Sequence, residues 1–331
     1  MRLLVVKFAK LRGALATTAA FRSLRERHPG LAVTCVTTPE ATPALDGCPA
    51  VVDAIGFEPA AATWPLLAHL RRQRFDAAIA LGAHPLARRL VALSGAGRRV
   101  CAGHAPLWWR PFFHQQVFGQ AVDPHEAACD HEVCARAFGF HAETPAMWFS
   151  TARMQEHGLL VEPRRYAVLH PGCSHPRRWL ALDKWAAVAR ELLAAGLVDR
   201  IVVSAGREGE ERIFAEALCG LIGPAATSTG GRLGLAQVAR LIKDARLFLG
   251  VDSSILQLAA AVGAPVVGVF GPSDYARARP WGTLNRVVRI DTAVFEGETR
   301  ADYEARLERA FERVTPRQIV RAAEEVVRIS A

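Results

Sequence analysis

The strongest constraint in this sequence is a repeated alternation. Short apolar runs of strand length are each followed by a break and then a helical stretch. The second half shows it most clearly. Tyr166 to His170, Arg200 to Ala205, Leu247 to Val251 and Pro265 to Phe270 read as strands. Leu182 to Ala195, Glu208 to Cys219, Gly234 to Asp244 and Ser253 to Val262 read as helices. Strands alternating with helices argue for a parallel sheet with helices on both faces. The first half follows the same pattern. Met1 to Phe8, Leu31 to Thr37, Phe75 to Leu81 and Arg98 to Ala102 read as strands, and Thr17 to Arg27 as a helix ended by Pro29-Gly30. Trp108 to Phe118 is aromatic and irregular and reads as a loop. The pattern restarts at Glu162-Pro163-Arg164-Arg165, which divides the chain into domains 1–160 and 161–331 with a cleft expected between them. Ala301 to Arg313 and Pro316 to Ile329 read as terminal helices, the last one free to pack back on the first domain. Ligands of open α/β sheets bind outside the carboxyl ends of the strands.

Composition narrows the classes. At 331 residues with 51% apolar side chains, the chain can build two ordinary globular cores. Its 41 basic and 32 acidic residues leave a net charge of +9. That surplus favours acidic partners such as nucleotides, phosphorylated glycans or anionic lipid surfaces. Basic residues are dispersed among apolar helices rather than gathered with aromatics, so no nucleic-acid partner is expected. The longest transmembrane candidate, Ile255 to Phe270, is too short and carries Gln257, Gly263 and Pro265. Lys7, Lys10 and Arg12 interrupt any signal-peptide core, so a cytoplasmic protein is expected. The seven cysteines are scattered, without a CxxC pair, and read as free thiols. His125, Cys129, His131, Cys134 and His141 form a cluster, and His125 and Cys129 share a helix face. Zinc binding and plain helix packing both suit it, and packing is favoured because no second ligand pair follows. No metal is expected. The phosphate loop of the GxxxxGK type, the dinucleotide GxGxxG turn and the GxSxG nucleophile elbow are all absent.

Three elements carry candidate chemistry. The first is Leu247 to Ser254, an apolar strand running into Asp252, Ser253 and Ser254 at a helix start. Those residues suit an anion site at a helix N-terminus and suit plain capping equally well. The second is His170-Pro-Gly-Cys-Ser174-His175-Pro-Arg177-Arg178-Trp179, with a glycine that permits close backbone approach and two arginines suited to phosphate. A solvated loop is its alternative. The third is the segment Lys7 to Gly13 with Lys7, Lys10 and Arg12, which reads as cationic rather than catalytic, or simply as an exposed basic loop.

These residues resemble the heptosyltransferase family, the family-nine glycosyltransferases of lipopolysaccharide core assembly. Met1-Arg-Leu-Leu-Val-Val-Lys7 with Thr17-Thr18 carries the likeness in the first half. His170-Pro-Gly with Arg177-Arg178-Trp179 is similar to the family's HPG…KxW element. Leu235 to Asp244, Val251-Asp252-Ser253, the run Ala259 to Pro272 and Trp281-Gly282 resemble its donor signature. The resemblance implies an α/β GT-B fold, two Rossmann-like doubly wound domains facing a central cleft. It implies an acceptor-binding first domain and a nucleotide-sugar-binding second domain. It implies ADP-heptose as a substrate, no cofactor, and an acidic glycan or glycolipid acceptor, with peripheral contact at the inner membrane. By position, Asp252, Ser253, Ser254 and Gln257 would meet the sugar and diphosphate, Gly172, Cys173 and Ser174 would line the phosphate pocket, Arg177 would hold phosphate, and Glu210 would meet the ribose.

The sequence departs from that family in two places. The family's first loop reads Gly-Asp, the Asp being its expected general base; here those positions are Arg12 and Gly13. Inverting transfer needs a group to take the acceptor proton, and neither residue supplies one. The donor signature Asp-[Ser/Thr]-Gly-x-x-His becomes Asp252-Ser253-Ser254-Ile255-Leu256-Gln257. The catalytic residue therefore stays unassigned among the neighbours Lys7, Lys10 and Arg12, and His104, His125 and Glu126 lie in the acceptor half. An active transferase with another base, a degenerate paralogue that binds without turnover, and an epimerase-like activity are the three readings open. If only the base is missing, Gly13→Asp should raise turnover.

Overall fold

The computed structural model describes residues 1–118, 123–150, 152, 154–173, 179–206, 209–271, 273–290, 299–300, 302, 305–306 and 309–330. The chain forms two compact units, Met1–Arg153 and Met154–Ala331.

The first unit is built on β1 (Arg2–Val6), α1 (Leu11–Arg27), β2 (Ala32–Thr37), β3 (Val51–Gly56), α2 (Thr63–Arg72), β4 (Ala77–Ala80), α3 (Pro85–Leu93), β5 (Arg98–Ala102), β6 (Gln115–Val117) and α4 (Glu126–Phe138). Its sheet has the order β3-β2-β1-β4-β5-β6. Every pairing is parallel, with Val5 of β1 opposite Cys35 on one side and Ile79 on the other. β1 is apolar after Arg2 because both its faces are covered. A single 3-10 helix over Leu107–Phe112 and then β6 replace the loop expected at 108–118.

The second unit comprises β7 (Tyr166–His170), α5 (Leu182–Ala194), β8 (Arg200–Val203), α6 (Gly209–Ile222), β9 (Ala226–Ser228), α7 (Leu235–Asp244), β10 (Leu247–Val251), α8 (Ser254–Ala261), β11 (Val266–Phe270), α9 (Tyr275–Ala278), β12 (Asn285–Arg289) and α10 (Pro316–Ser330). Its sheet order, β12-β11-β10-β7-β8-β9, is also parallel throughout. Numbered within each unit, both sheets run 3-2-1-4-5-6, the doubly wound order. That order places a switch point between β1 and β4 in one sheet and between β7 and β10 in the other.

The terminal helix shows how local pattern becomes packing. Ile319, Ala322, Ala323 and Val326 of α10 are buried as an i, i+3, i+4, i+7 stripe, flanked by Val320 and Val327. The stripe lies against α5 and strands β10, β11 and β12 of the helix's own unit. Lys184 of α5 fixes the segment before it, donating to the carbonyls of Phe311, Glu312 and Val314 at 2.8 Å each. Phe311 and Glu312 lie in a 3-10 turn at Ala310–Arg313 and Val314 follows it, whereas residues 301, 303, 304, 307 and 308 of the helix expected at 301–313 fall outside the described residues.

Candidate functional site

In the first unit the chemistry gathers where β1 ends. Lys7, the next residue, is 6% exposed. Its ammonium meets Asp130 Oδ2 at 2.5 Å, Glu126 Oε1 at 2.9 Å and the Gly13 carbonyl at 3.0 Å. Three acceptors use all three of its donors. The Thr17 hydroxyl lies 2.7 Å from the same Asp130 oxygen and 2.9 Å from the Gly13 carbonyl. Burial alone would lower the Lys7 pKa, but the Asp130 and Glu126 charges outweigh it and hold it above its ordinary value. Burial raises Asp130 above the usual carboxylate range, and Lys7 offsets part of that.

This arrangement corrects the exposed basic loop expected at residues 7–13. α1 begins at Leu11, so Arg12 and Gly13 occupy its first turn. Lys10 remains exposed at the N-cap, while Lys7 is an internal tie between β1, α1 and α4. Arg12 keeps 42% of its side chain exposed, with Nε 3.8 Å from Glu126 Oε2.

Gly13 is a glycine for a tertiary reason. A Cβ there would come 2.6 Å from Ala9 Cβ and 2.8 Å from Glu126 Oε1. The Glu126 carboxylate lies against the space that a side chain at 13 would enter. Asp130 is almost closed off at 7% side-chain exposure, whereas Glu126 keeps 23%.

The histidines and cysteines of 125–134 lie on and beside α4, each with protein partners or buried. His125 caps α4, its Nδ1 accepting from the Ala127 amide at 3.1 Å. His131 pairs with Ser23 at 3.0 Å and Thr144 at 3.2 Å, and burial lowers its pKa. Cys134 is fully buried and its thiol pKa is raised accordingly. Among the described residues no group of three His, Cys, Asp or Glu side chains is placed to hold a metal ion.

In the second unit the two signature segments meet at the switch point. β10 hands over to Asp252, 2% exposed, and then Ser253, the N-cap of α8. Ser253 Oγ accepts from the Leu256 amide at 3.2 Å, so its side chain is committed to capping. Ser254 opens the helix, whose first-turn amides carry its positive end. Beside it, β7 ends at His170 and hands over to Pro171, Gly172 and Cys173. The Trp179 indole closes that loop by donating to the Cys173 carbonyl at 2.7 Å. Ser174 and Arg177, both assigned to phosphate on sequence, lie outside the described residues.

Two of the assigned residues have distinct placements. Glu210 is exposed; its neighbour Glu211 turns inward instead. Glu211 Oε2 accepts from the Gly206 amide at 2.7 Å. A Cβ at Gly172 would lie 2.9 Å from Glu211 Cγ, and one at Gly206 would lie 2.7 Å from its Oε2. Both glycines make room for this carboxylate at the carboxyl ends of β7 and β8. A helix that begins with two adjacent glutamates offers sequence reasoning no way to choose between them. Gln257, assigned to the donor, is 1% exposed, and its amide donates to the Ala278 carbonyl at 2.5 Å. It therefore ties α8 to the end of α9. The guanidinium of Arg279 then stacks over Trp281 at 5.1 Å. A cavity of about 570 Å³ lined by Arg164, Arg246, Pro265 and Thr283 opens at the opposite, amino edge of this sheet.

His170 gives a measurable signature of this edge. Burial pushes its imidazole pKa down to about 4, with Nδ1 2.8 Å from Ser204 Oγ. The unfolded chain, with an ordinary histidine near 6.5, then binds more protons than the folded one as pH falls from about 6.5 towards about 4. The associated stability is intact above about 6.5 and lost on acidification through that window. Between pH 7.5 and pH 5 the loss is about 2 kcal/mol. Urea unfolding at the two pH values should show that excess loss in the native chain and not in His170→Asn; equal losses would show a hydrated imidazole.

Two parallel six-stranded sheets of one doubly wound strand order, with polar segments at both switch points, are the architecture of the GT-B fold class. The model of glycosyltransferase family 9 (heptosyltransferase) matches residues 63–302. Lipopolysaccharide heptosyltransferase 3 of Escherichia coli is 24% identical over 287 residues, covering 81% of this chain and 82% of the relative. The fold is that of E. coli ADP-heptose lipopolysaccharide heptosyltransferase II, at TM-score 0.80 and 17% identity over 100% of this chain and 99% of that one. A family 9 glycosyl transferase from Veillonella parvula gives TM-score 0.83 at 17% identity, covering 100% and 98%. E. coli heptosyltransferase WaaC with ADP gives 0.79 at 18%, covering 98% and 100%. The chain belongs to glycosyltransferase family 9, and it is a heptosyltransferase-like transferase.

Proposed function

We propose that this transferase moves a heptose from ADP-heptose to an acidic, lipopolysaccharide-core-like glycolipid without a metal ion. The observation that carries the donor half is the convergence, at one switch point, of Asp252 and the α8 N-terminus with the Gly172-Cys173 turn and Glu211. A diphosphate suits a helix N-terminus flanked by close-approach backbone. A carboxylate that already accepts a backbone amide suits ribose hydroxyls. The relatives' names point the same way, since one is an ADP-heptose heptosyltransferase and another is bound to ADP-2-deoxy-2-fluoro heptose. In the reaction the acceptor hydroxyl oxygen bonds to the anomeric carbon. The bond from that carbon to the diphosphate breaks, its electron pair leaves on ADP, and the hydroxyl proton passes to a base. Helix amides and cationic side chains neutralise the departing charge in place of a metal.

The acceptor half is supported by charge and exposed aromatics. Residues 77–122 carry five arginines and no aspartate or glutamate. Within them Leu107 and Trp108 are 72% and 75% exposed. Arginine matches anionic headgroup phosphates, and an exposed tryptophan suits a membrane interface. Among the described residues no helix is long and apolar enough to cross a membrane. A glycolipid presented at the inner-membrane surface fits these features.

Calorimetric titration tests the donor. ADP-heptose and ADP should bind at least about tenfold more tightly than UDP and GDP. Glu211→Ala should weaken ADP by roughly tenfold, the value of a hydrogen bond to a charged group. No binding to any of the four would overturn the donor reading. Binding of ADP-heptose without ADP release in the presence of acceptor would establish the binding-only alternative.

A further inference from the structure

We propose that Glu126 is the general base of the transfer reaction, supplied by α4 rather than by the loop after β1. The assignment rests on the transferase reading above and names the proton acceptor that reading requires. Three observations carry it. First, Glu126 stands at the carboxyl end of the central strand of the first sheet, bonded to Lys7, the residue that leaves β1. This is the switch-point edge where doubly wound sheets take their ligands. Second, of the two carboxylates on Lys7, Glu126 keeps 23% exposure against 7% for Asp130, whose Oδ2 is claimed by both Lys7 and Thr17. Glu126 is the one a hydroxyl can reach. Third, its Oε1 lies 2.8 Å from where a Cβ of residue 13 would be, so the carboxylate fills the place of a side chain that Gly13 does not have.

The geometry also holds the group still. Lys7 anchors Oε1 at 2.9 Å, and Arg12 stands 3.8 Å from Oε2. Glu126 lies in the first turn of α4, where the helix dipole favours a carboxylate. In the proposed step a lone pair of Glu126 takes the proton of the acceptor hydroxyl as its oxygen bonds to the anomeric carbon. The proton ends on Glu126, the electron pair of the broken carbon–oxygen bond ends on ADP, and solvent later removes the proton.

The test is turnover of the full-length protein with ADP-heptose and a lipopolysaccharide-core acceptor, comparing wild type, Glu126→Gln and Glu126→Asp. Glu126→Gln is nearly isosteric and leaves the Lys7–Asp130 pair in place, so melting within a few degrees of wild type is expected. The kcat of Glu126→Gln should fall by about 100-fold or more, the usual worth of a general base. KM for the donor and calorimetric ADP affinity should stay unchanged, and the acid limb of the pH–rate profile should disappear. Glu126→Asp should recover part of the rate. A folded Glu126→Gln protein with wild-type kcat, or one that keeps the acid limb, overturns the assignment and leaves the transferase reading standing. A wild-type protein that releases no ADP overturns the transferase reading and the assignment together.

Discussion

Lys7→Met should lower the stability of the first unit by about 3–5 kcal/mol, the cost of leaving a buried charge without its partner. Methionine matches lysine in length and apolar volume, so packing changes little. What changes is that Asp130, 7% exposed, loses an ammonium 2.5 Å away, and Glu126 loses one at 2.9 Å. The Gly13 carbonyl loses its 3.0 Å donor as well. Asp130 would have to take up a proton to stay buried. Urea unfolding at pH 7 measures the loss, and the double variant Lys7→Met with Asp130→Leu should recover a large part of it, because it removes the stranded charge. A loss below about 1 kcal/mol would place the cluster in the class of hydrated surface pairs.

Gly13→Asp should destabilise the first unit by about 2–3 kcal/mol and lower turnover. The sequence alone argues the reverse, since an acid at 13 would supply the missing base. The space around position 13 argues against it. The new Cβ would stand 2.6 Å from Ala9 Cβ, a short group with nowhere to go. Forcing a side chain into a filled space costs about 1–3 kcal/mol. The added carboxylate would meet Glu126 at 2.8 Å from its own Cβ, adding like-charge repulsion. Gly13→Ala separates the two effects. In a helix alanine would gain about 1 kcal/mol over glycine, so a net loss in that variant measures the clash. Thermal unfolding and initial rates on both variants are the check. A stable Gly13→Asp protein with raised kcat would show that Glu126 moves aside and that position 13 is the natural home of the acid.

The fold was legible to different depths in different places. Strands β1, β2, β4, β5, β7, β8, β10 and β11 are evident as apolar runs, and they are the inner strands of the two sheets. The outer strands β3, β6, β9 and β12 are not evident. They are covered on fewer sides, with at most one buried residue each, so no apolar run marks them. The helix α2 was hidden for a related reason, since it buries only Leu66, Leu67 and Leu70. The edge after β10 was readable because strand, acid, hydroxyl and helix follow one another along the chain at Leu247 to Ser254. That Glu211 rather than Glu210 turns inward was not legible, because its inward turn depends on Gly172 and Gly206 of other segments.

The sequence by itself determined the fold class, the two-unit organisation, the family and the segments at the carboxyl ends of β7 and β10. Each is written in consecutive residues, where the hydrophobic period and the turn chemistry act. Tertiary structure alone decided what the residues after β1 do. Lys7 looks cationic and exposed on the chain, yet it is buried against acids from α4. Thr17 and Asp130, bonded at 2.7 Å, are 113 positions apart. No local pattern encodes such a pairing. It exists because the packing of α4 on α1 closes water out, and a charge in that place is stable only beside its opposite.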